Sequence, residues 1–163
     1  MIVALDVAGH EFSHGVVKFT ANLRYQNQSG AMNESFADFF GAMIDRDDWY
    51  IGEDLLHPYG PYDYLRDMSN PPSTGSPGHM DNFLNRPNTE DGDYGGVHYN
   101  SGIPNRALYL LAEGLTNEGL GASVGKIKAE RLAYATLQKL PADAEFIDYA
   151  NTMILDEITY YKE

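Results

Sequence analysis

The sequence His10-Glu11-Phe12-Ser13-His14 lies near the start of the chain, inside an apolar segment that extends over residues 2–20. These apolar flanks predict a buried helix at about residues 3–20. Residues four apart share one face of a helix, so His10 and His14 can bind one metal ion. Glu11 lies roughly 100° further round the helix, where a metal site needs a general base. The alternative is an amphipathic helix with two surface histidines, although polar groups inside an apolar helix are costly unless a metal or hydrogen bonds satisfy them.

A second helix with polar residues on one face follows at Gly30-Ala31-Met32-Asn33-Glu34-Ser35-Phe36-Ala37-Asp38-Phe39-Phe40. Its apolar residues recur at helical spacing and predict a buried helix at about residues 32–44. Catalytic zinc usually takes three protein ligands, and Glu34 is the third that we expect. Asp38 is placed to accept the free N–H of one ligand histidine, and Asn33 can serve the other. A solvated acidic stripe is the alternative, but it would share the helix with phenylalanines.

These two segments resemble the thermolysin family of zinc peptidases, whose hallmark is HExxH followed by a helix that carries NExxxD. The resemblance continues through further blocks in the family's order, at Tyr25–Glu34, Trp49–Asp54, Leu65–Ser69 and Gly95–Ile103. It covers nearly the whole chain and becomes loose after about Gly125. It implies a mainly α fold over residues 1–163, the C-terminal helical domain of a thermolysin-like peptidase, with a long calcium-binding-type loop region and little β structure. We expect the family's β-rich N-terminal domain to be absent from this chain.

The resemblance also assigns roles to individual residues. It makes His10, His14 and Glu34 the ligands of one catalytic zinc ion, and Glu11 the base that activates the attacking water. Tyr25 and His98 would stabilise the oxyanion that forms from the scissile carbonyl, which needs donors placed where negative charge develops. Asp93 would orient His98, and Arg66 would hold the substrate carbonyl beyond the cleaved bond.

The pocket for the substrate residue after the cleaved bond matches four aliphatic positions in this sequence. These are Val7, Ile51, Leu55 and Leu65. An aliphatic pocket predicts a preference for bulky hydrophobic side chains, because burying an unpaired charge there is expensive.

Residues 45–96 are rich in Gly, Pro, Asp, Asn and Tyr and show little periodicity, which predicts mainly loops and turns. Clustered carboxylates repel one another unless a cation binds among them, and calcium prefers six to eight oxygen ligands. The resemblance implies one structural calcium ion at Asp6, Asp45, Asp48, Glu53 and Asp54. Tyr50 stands where the family commonly has a further acidic ligand, which argues against a paired calcium site. A solvated acidic loop is the alternative.

The rest of the periodicity predicts helices that start near Pro104 and that span about Val124–Leu140 and Ala142–Tyr160. Short extended structure is expected within Gly15–Tyr25.

Composition restricts the classes of partner. With 163 residues, the chain has the usual size of one domain. A formal charge of −13 and a pI of about 4.6 argue against nucleic acids and anionic membranes as partners. The sequence contains no cysteine, so it forms no disulfide and has no thiol nucleophile. We find no signal peptide before the metal helix, so secretion is expected from the resemblance alone.

Three functions fit these features. The first is a zinc-dependent endopeptidase that hydrolyses peptide bonds on the N-terminal side of bulky hydrophobic residues. The second is a zinc-binding module with weak or no activity, and the third is a zinc amidase that acts on non-protein peptides. Because every matching catalytic residue is present, we favour the endopeptidase, with protein or peptide substrates. A separate N-terminal domain, a propeptide or a second copy is expected to cover an exposed apolar face of the first helix.

Overall fold

The computed structural model describes residues 4–56, 63–114 and 123–160, and these residues are mainly helical. The α-helices are α1 (Leu5–Phe19), α2 (Asn27–Asp45), α3 (Glu53–Leu56), α4 (Asp93–Asn100), α5 (Gly102–Glu113), α6 (Lys126–Leu137) and α7 (Phe146–Tyr160). Short 3-10 turns cover Pro71–Thr74 and Met80–Asn82. Strands β1 (Tyr50–Ile51) and β2 (Arg66–Asp67) pair antiparallel, with Ile51 opposite Arg66. The prediction of a mainly α fold with little β structure is therefore confirmed.

The predicted helices are present, with ends that differ from the prediction. Helix α2 starts at Asn27 rather than near residue 32, because its polar first turn carries no apolar periodicity. The hydroxyl of Ser29 fixes that turn by donating to the carbonyl oxygen of Arg24 at 2.8 Å. Helices α6 and α7 are shorter than predicted, and α5 starts two positions before Pro104, at Gly102. The predicted first residue of α1 lies outside the described residues.

The expectation of extended structure within Gly15–Tyr25 is wrong. Helix α1 continues to Phe19, and the following residues form turns that contain no strand. The backbone is held at the helix end by local hydrogen bonds. Asn22 donates its backbone N–H to the carbonyl of Val17 at 2.8 Å, with a positive φ of 51°. Such a conformation suits asparagine and ends a helix.

The two helices that carry the metal motif approach each other closely through glycines. A Cβ atom on Gly41 of α2 would lie 2.5 Å from the carbonyl oxygen of Asp6 on α1. A Cβ atom on Gly9 would lie 2.8 Å from the side chain of Ile44. The missing side chains let the two backbones approach, which brings the histidines of α1 against the polar face of α2.

The hydrophobic core is built around α2, away from the exposed face of α1. Helix α2 contributes the largest buried side chains, and α5, α6 and α7 pack around them. Helix α1 is buried on one face, whereas Phe12 and Phe19 are 74% and 87% exposed on the other. The prediction of a buried helix therefore holds for one face only, and the exposed outer face agrees with the expectation of an apolar surface on the first helix.

The long loop after α2 is ordered by anchors within the described residues. Ile51 of β1 and Met68, the residue after β2, both belong to the hydrophobic core. Asp67 accepts hydrogen bonds from the backbone N–H groups of Ser69 and Asn70, at 2.8 and 3.0 Å. Arg106 of α5 donates to the carbonyl of Ser69. These contacts hold Arg66, which β2 carries, beside α2.

Candidate metal and active site

Helices α1 and α2 bring His10, His14 and Glu34 together. The two histidine Nε2 atoms are 3.0 Å apart, and each lies 3.5 Å from one carboxylate oxygen of Glu34. Glu34 is only 1% exposed, and its Oε2 atom is buried without a hydrogen-bond partner among the described residues. A buried carboxylate oxygen without a donor is costly unless a cation or water satisfies it. Two imidazoles and one carboxylate form a donor set that suits zinc and leaves a fourth position open.

The Nδ1 atoms of both histidines are held from outside this group. His10 Nδ1 lies 2.8 Å from Asp38 Oδ1, and His14 Nδ1 lies 2.8 Å from Asn33 Oδ1. Asn33 itself donates to the carbonyl of Leu23 at 3.2 Å, which orients its amide with the oxygen toward the histidine. When each Nδ1 donates its proton outward, each Nε2 presents a lone pair inward. The structure therefore places Asp38 and Asn33 against the Nδ1 atoms of the two histidines.

Asp38 is the wholly buried centre of a polar network. Arg66 donates to both of its oxygens at 2.7 Å, and Asn105 Nδ2 donates to Oδ2 at 2.8 Å. Burial raises the pKa of Asp38, but the charges of Arg66 and His10 hold it well below its usual range. Burial lowers the pKa of His10, and Asp38 more than offsets this, so the net pKa is raised. Asn105 was missed from the sequence, since no spacing connects α5 with Asp38.

Tyr25, His98 and Asp93 form a second group against the open side of Glu34. The Tyr25 hydroxyl donates to Glu34 Oε1 and lies 3.1 Å from His98 Nε2. His98 Nδ1 lies 2.6 Å from Asp93 Oδ1. Burial, followed by the hydrogen bond to Glu34, raises the pKa of Tyr25 above its ordinary value, so this phenol keeps its proton. The three residues surround the same carboxylate as the histidine pair does.

An unusual backbone turn carries Asp93 and His98 at the start of α4. The φ angles of Asp93, Tyr94, Gly95 and Gly96 are 55°, 49°, 92° and 78°, so the chain makes a left-handed turn. This conformation is costly for residues other than glycine. The buried Asn100 supports the turn, because its Nδ2 donates to the carbonyls of Leu84 and Gly95 at 3.0 and 3.2 Å. The Gly95-Gly96 pair was the only sign of this turn in the sequence, and the role of Asn100 was missed.

The remaining residues of the predicted site differ in exposure. Glu11 is exposed, and no residue in the described part of the chain hydrogen-bonds it. Arg66 and Leu65 line a cavity of about 480 Å³ together with His98 and Asp93. Of the four aliphatic positions predicted for the specificity pocket, Leu65 and Leu55 are 45% and 39% exposed. Ile51 belongs to the core, and Val7 packs against the core.

A second cluster of carboxylates lies where the start of α1, the end of α2 and α3 meet. One carboxylate oxygen each from Asp6, Asp45 and Glu53 lies within 4.8 Å of the others. Asp6 Oδ1 and Glu53 Oε2 are buried and have no hydrogen-bond partner among the described residues. Burial and then the charges of Asp6, Asp48 and Asp54 raise the pKa of Glu53 to about 7. Asp48 and Asp54 are exposed and lie outside this group of three.

Comparisons with known proteins address the chain as a whole. The family described as "Thermolysin metallopeptidase, alpha-helical domain" matches residues 21–163, which include Glu34 and His98 but not the HExxH motif. Bacillolysin of Bacillus amyloliquefaciens is 47% identical over 134 residues, which are 82% of this chain and 23% of that protein. Neutral protease NprE of Bacillus pumilus is 54% identical over 106 residues, which are 65% of this chain and 34% of that protein.

Two further relatives extend the comparison to nearly the whole chain. An extracellular elastase of Staphylococcus epidermidis is 44% identical over 146 residues, 89% of this chain and 26% of that protein. The structure of the precursor of protealysin, a metalloproteinase of Serratia proteamaculans, matches with a TM-score of 0.75 at 38% identity, covering 94% of this chain and 51% of that one. The chain thus spans about a quarter to a third of the length of these curated relatives. None of the helices in the described ranges has the length and apolar character that crossing a bilayer requires.

Proposed function

The chain belongs to the thermolysin metallopeptidase family, and from this premise we propose that it carries the catalytic site of a zinc-dependent endopeptidase. The observation that carries the proposal is the convergence of His10, His14 and Glu34, together with the buried Oε2 atom of Glu34, which has no hydrogen-bond donor among the described residues. A purely structural polar cluster in a buried position would satisfy that oxygen with an N–H or O–H group. A cation satisfies it equally well and also explains why the two Nε2 atoms face each other.

Zinc at this position would act as a Lewis acid that polarises the scissile carbonyl and makes the attacking water more acidic. Glu11, one residue after His10 and free of hydrogen bonds to described residues, takes the proton of that water and passes it to the leaving amine. Tyr25 and His98 donate hydrogen bonds to the oxyanion. Asp93 holds His98 by Nδ1, so that its Nε2 faces Glu34 and the reaction.

The substrate side of the proposal rests on Arg66 and Leu65. Asp38 fixes the guanidinium of Arg66 through two hydrogen bonds, which leaves the side chain at the wall of the cavity that His98 also lines. Arg66 is thereby placed to hold the peptide carbonyl beyond the cleaved bond. The half-exposed Leu65 beside it offers apolar surface to a bulky hydrophobic side chain at that position.

We assign one structural calcium ion to Asp6, Asp45 and Glu53. These carboxylates belong to three different elements, and one oxygen from each lies within 4.8 Å of the others. Two of the carboxylate oxygens are buried and have no hydrogen bond to described residues. Calcium takes oxygen ligands from carboxylates, backbone carbonyls and water, so three side chains are enough to begin a site. Asp48 and Asp54 would then contribute through their charge or through bridging water.

The surroundings of the site suggest a larger assembly. Helix α1 exposes Phe12 and Phe19 on the face opposite α2, and such apolar surface commonly marks an interface. We propose that another domain, a propeptide or a second copy covers this face, and that the assembled protein is secreted. Two of the relatives, an extracellular elastase and a metalloproteinase precursor, support both parts of the proposal.

Turnover of a quenched fluorescent peptide with Leu after the scissile bond tests the proposed reaction. We expect the 163-residue chain with zinc and calcium to cleave this peptide at that bond, and Glu11→Gln to lower kcat by about 10²–10⁴-fold. Zinc content, measured by mass spectrometry, should stay near one ion per chain in the variant. A chelator should abolish cleavage, and added zinc should restore it.

The same experiment separates the proposal from its alternatives. Equal turnover by Glu11→Gln would contradict the assigned base, whatever the metal content. One zinc per chain with no turnover by either protein would identify a binding module, or a site that needs the partner on α1. No zinc bound at all would refute the assignment of the ligands.

A further inference from the structure

Two separate cavities adjoin the proposed zinc site. The first, of about 480 Å³, includes Arg66 and His98 among its lining residues. The second, of about 400 Å³, is lined by His14, Lys18, Asn22, Leu23, Tyr25 and Asn33. The two share no lining residue, and each includes a side chain that contacts Glu34. An extended peptide whose scissile bond lies at Glu34 therefore reaches one cavity with each of its ends.

Lys18 gives the second cavity its charge. It follows His14 by four residues on α1, so both side chains lie on one face of the helix. No carboxylate belongs to the lining of this cavity, and Lys18 forms no ion pair with any residue in the described ranges. The chain as a whole carries a formal charge of −13, so an ammonium group without a counter-charge stands out at the edge of the site. A substrate carboxylate would supply that counter-charge.

The direction of the substrate follows from the other cavity. Arg66 is proposed to hold the carbonyl beyond the cleaved bond, so residues on the C-terminal side enter the cavity of Arg66. Residues on the N-terminal side then enter the cavity of Lys18. Building on the proposed function, we propose that Lys18 is a specificity-determining residue that selects an acidic side chain in the first two substrate positions N-terminal to the cleaved bond. Neighbouring Asn22 offers an amide donor for the same carboxylate.

Matched peptides test this selection. Quenched fluorescent substrates with Leu after the scissile bond carry Asp, Asn or Lys at each of the two N-terminal positions in turn. We expect kcat/KM to be about three- to fivefold higher for Asp than for Asn at one of these positions, the size of a solvent-exposed ion pair, and lower for Lys. At 0.5 M NaCl the ratio should approach one, because salt screens exposed charges.

Variants connect the preference with the residue. Lys18→Met should remove the preference for Asp, and Lys18→Glu should reverse it in favour of the Lys peptide. Lys128→Met removes the same charge from α6, which lines neither cavity, and should leave the ratio unchanged. Dipeptides that end in a hydroxamate and carry Asp or Asn give a readout without turnover, and their Kd values on the zinc-loaded chain should show the same ratio.

The outcomes distinguish this inference from the proposed function. Peptides that are cut equally well with Asp and Asn would overturn the inference and leave the peptidase intact. A preference for Asp that persists in Lys18→Met would overturn it as well. If no peptide is cut and no hydroxamate binds although zinc is present, the proposed function fails and the inference fails with it.

Discussion

Three histidines of the site are each held through Nδ1 by an oxygen, yet their surroundings suit them to different tasks. His10 contacts Asp38 and its side chain is 8% exposed, whereas His98 contacts Asp93 and its side chain is 48% exposed. A buried imidazole with its lone pair directed inward suits a metal ligand. An exposed imidazole beside a carboxylate suits a hydrogen-bond donor to substrate. The two histidine–aspartate pairs therefore share the same hydrogen bond, but one pair supports zinc binding and the other supports catalysis.

Replacing each aspartate in turn should separate these two roles. We expect Asp38→Asn to weaken zinc binding by about 10–100-fold, because the amide orients His10 less well. It should also lower the free energy of unfolding by about 3 kcal/mol, since the buried Arg66 loses its counter-charge. Asp93→Asn should leave zinc affinity unchanged and lower kcat by about tenfold or more. Competition with a chromogenic chelator measures the affinity, and urea unfolding measures the stability.

A loss of zinc affinity in Asp93→Asn comparable to that in Asp38→Asn would contradict the division of tasks. It would mean that His98 rather than Glu34 completes the metal site. Asp38→Asn with normal affinity would show that Arg66 and Asn105 alone keep His10 in position.

Spacing within one helix indicates candidate ligands, whereas it does not indicate supporting residues on other elements. HExxH and NExxxD specify ligands by spacing within one helix, and the structure brings His10, His14 and Glu34 together accordingly. Asn105 and Asn100 act from other elements, where neither spacing nor composition indicates a neighbour. The assignment of Val7, Ile51, Leu55 and Leu65 to a pocket stays a prediction, since an aliphatic residue suits a core and a pocket equally well.

At the scale of the elements, the site depends on how closely α1 and α2 approach. His10 and Glu34 lie on different helices, and Gly9 and Gly41 set the distance between the two backbones. A rigid shift of α1 by a few tenths of an ångström would separate the ligand atoms, because each helix carries its polar residues as a unit. The glycines are therefore part of the site although they bear no functional group.

Adding one methyl group at each of two glycines tests this dependence. Gly41→Ala places a Cβ atom 2.5 Å from the carbonyl oxygen of Asp6, so we expect it to lower the free energy of unfolding by about 1–3 kcal/mol. It should also weaken zinc binding. Gly15→Ala, on α1, meets nothing within 4 Å and should raise the free energy of unfolding by about 0.5–1 kcal/mol through helix propensity. Urea unfolding of the metal-free chains and zinc competition check both.

The comparison is informative because both variants make the same chemical change in a helix. If Gly41→Ala were as stable as Gly15→Ala and bound zinc normally, the helices would not be held by the glycine contact. Lower stability of Gly41→Ala with unchanged zinc affinity would show that α1 and α2 can shift without separating the ligands.

The existence of the longer helices was predictable, whereas the short helices α3 and α4, the helix starts and the special turns were not. Apolar periodicity identified α1, α2, α6 and α7 since each buries a stripe of side chains. The first turn of α2 is polar and is held by Ser29, so periodicity placed its start too late. The left-handed turn at Asp93–Gly96 has no periodic signature, because it depends on a hydrogen bond from the side chain of Asn100 to the carbonyl of Gly95. Apolar periodicity in a sequence indicates which residues are buried, whereas the start of α2 and the left-handed turn depend on hydrogen bonds.

At the scale of the whole molecule, the acidic cluster joins three elements that are separate along the chain. Asp6 lies in the first turn of α1, Asp45 ends α2, and Glu53 begins α3 in the long loop. Without a cation these carboxylates repel one another, and burial and mutual charge raise the pKa of both Asp45 and Glu53. A calcium ion would convert this repulsion into a link between the two helices of the zinc site and the loop that presents Arg66.

Stability of the calcium-free chain should fall as the pH rises. The pKa of Glu53 rises from 4.5 to about 7 on folding, so between these values the folded chain holds a proton that the unfolded chain has released. Folding then takes up protons, and the free energy of unfolding decreases with pH until it levels off above pH 7. Because water screens a half-exposed carboxylate, we expect a loss of about 1 kcal/mol, or about 2–4 °C in Tm.

Calcium and one substitution at Glu53 provide the check. In thermal unfolding between pH 5 and 8, calcium but not magnesium should reduce the decline for the wild-type chain, by the part that comes from the acidic cluster. Glu53→Gln should lack the part of the decline in Tm that the Glu53 carboxyl group causes, and its Tm should respond little to calcium. Glu90→Gln makes the same change of charge at an exposed site and should behave like wild type. If calcium leaves the Tm at pH 8 unchanged, the carboxylates form a solvated acidic loop and the link between α1, α2 and α3 does not exist.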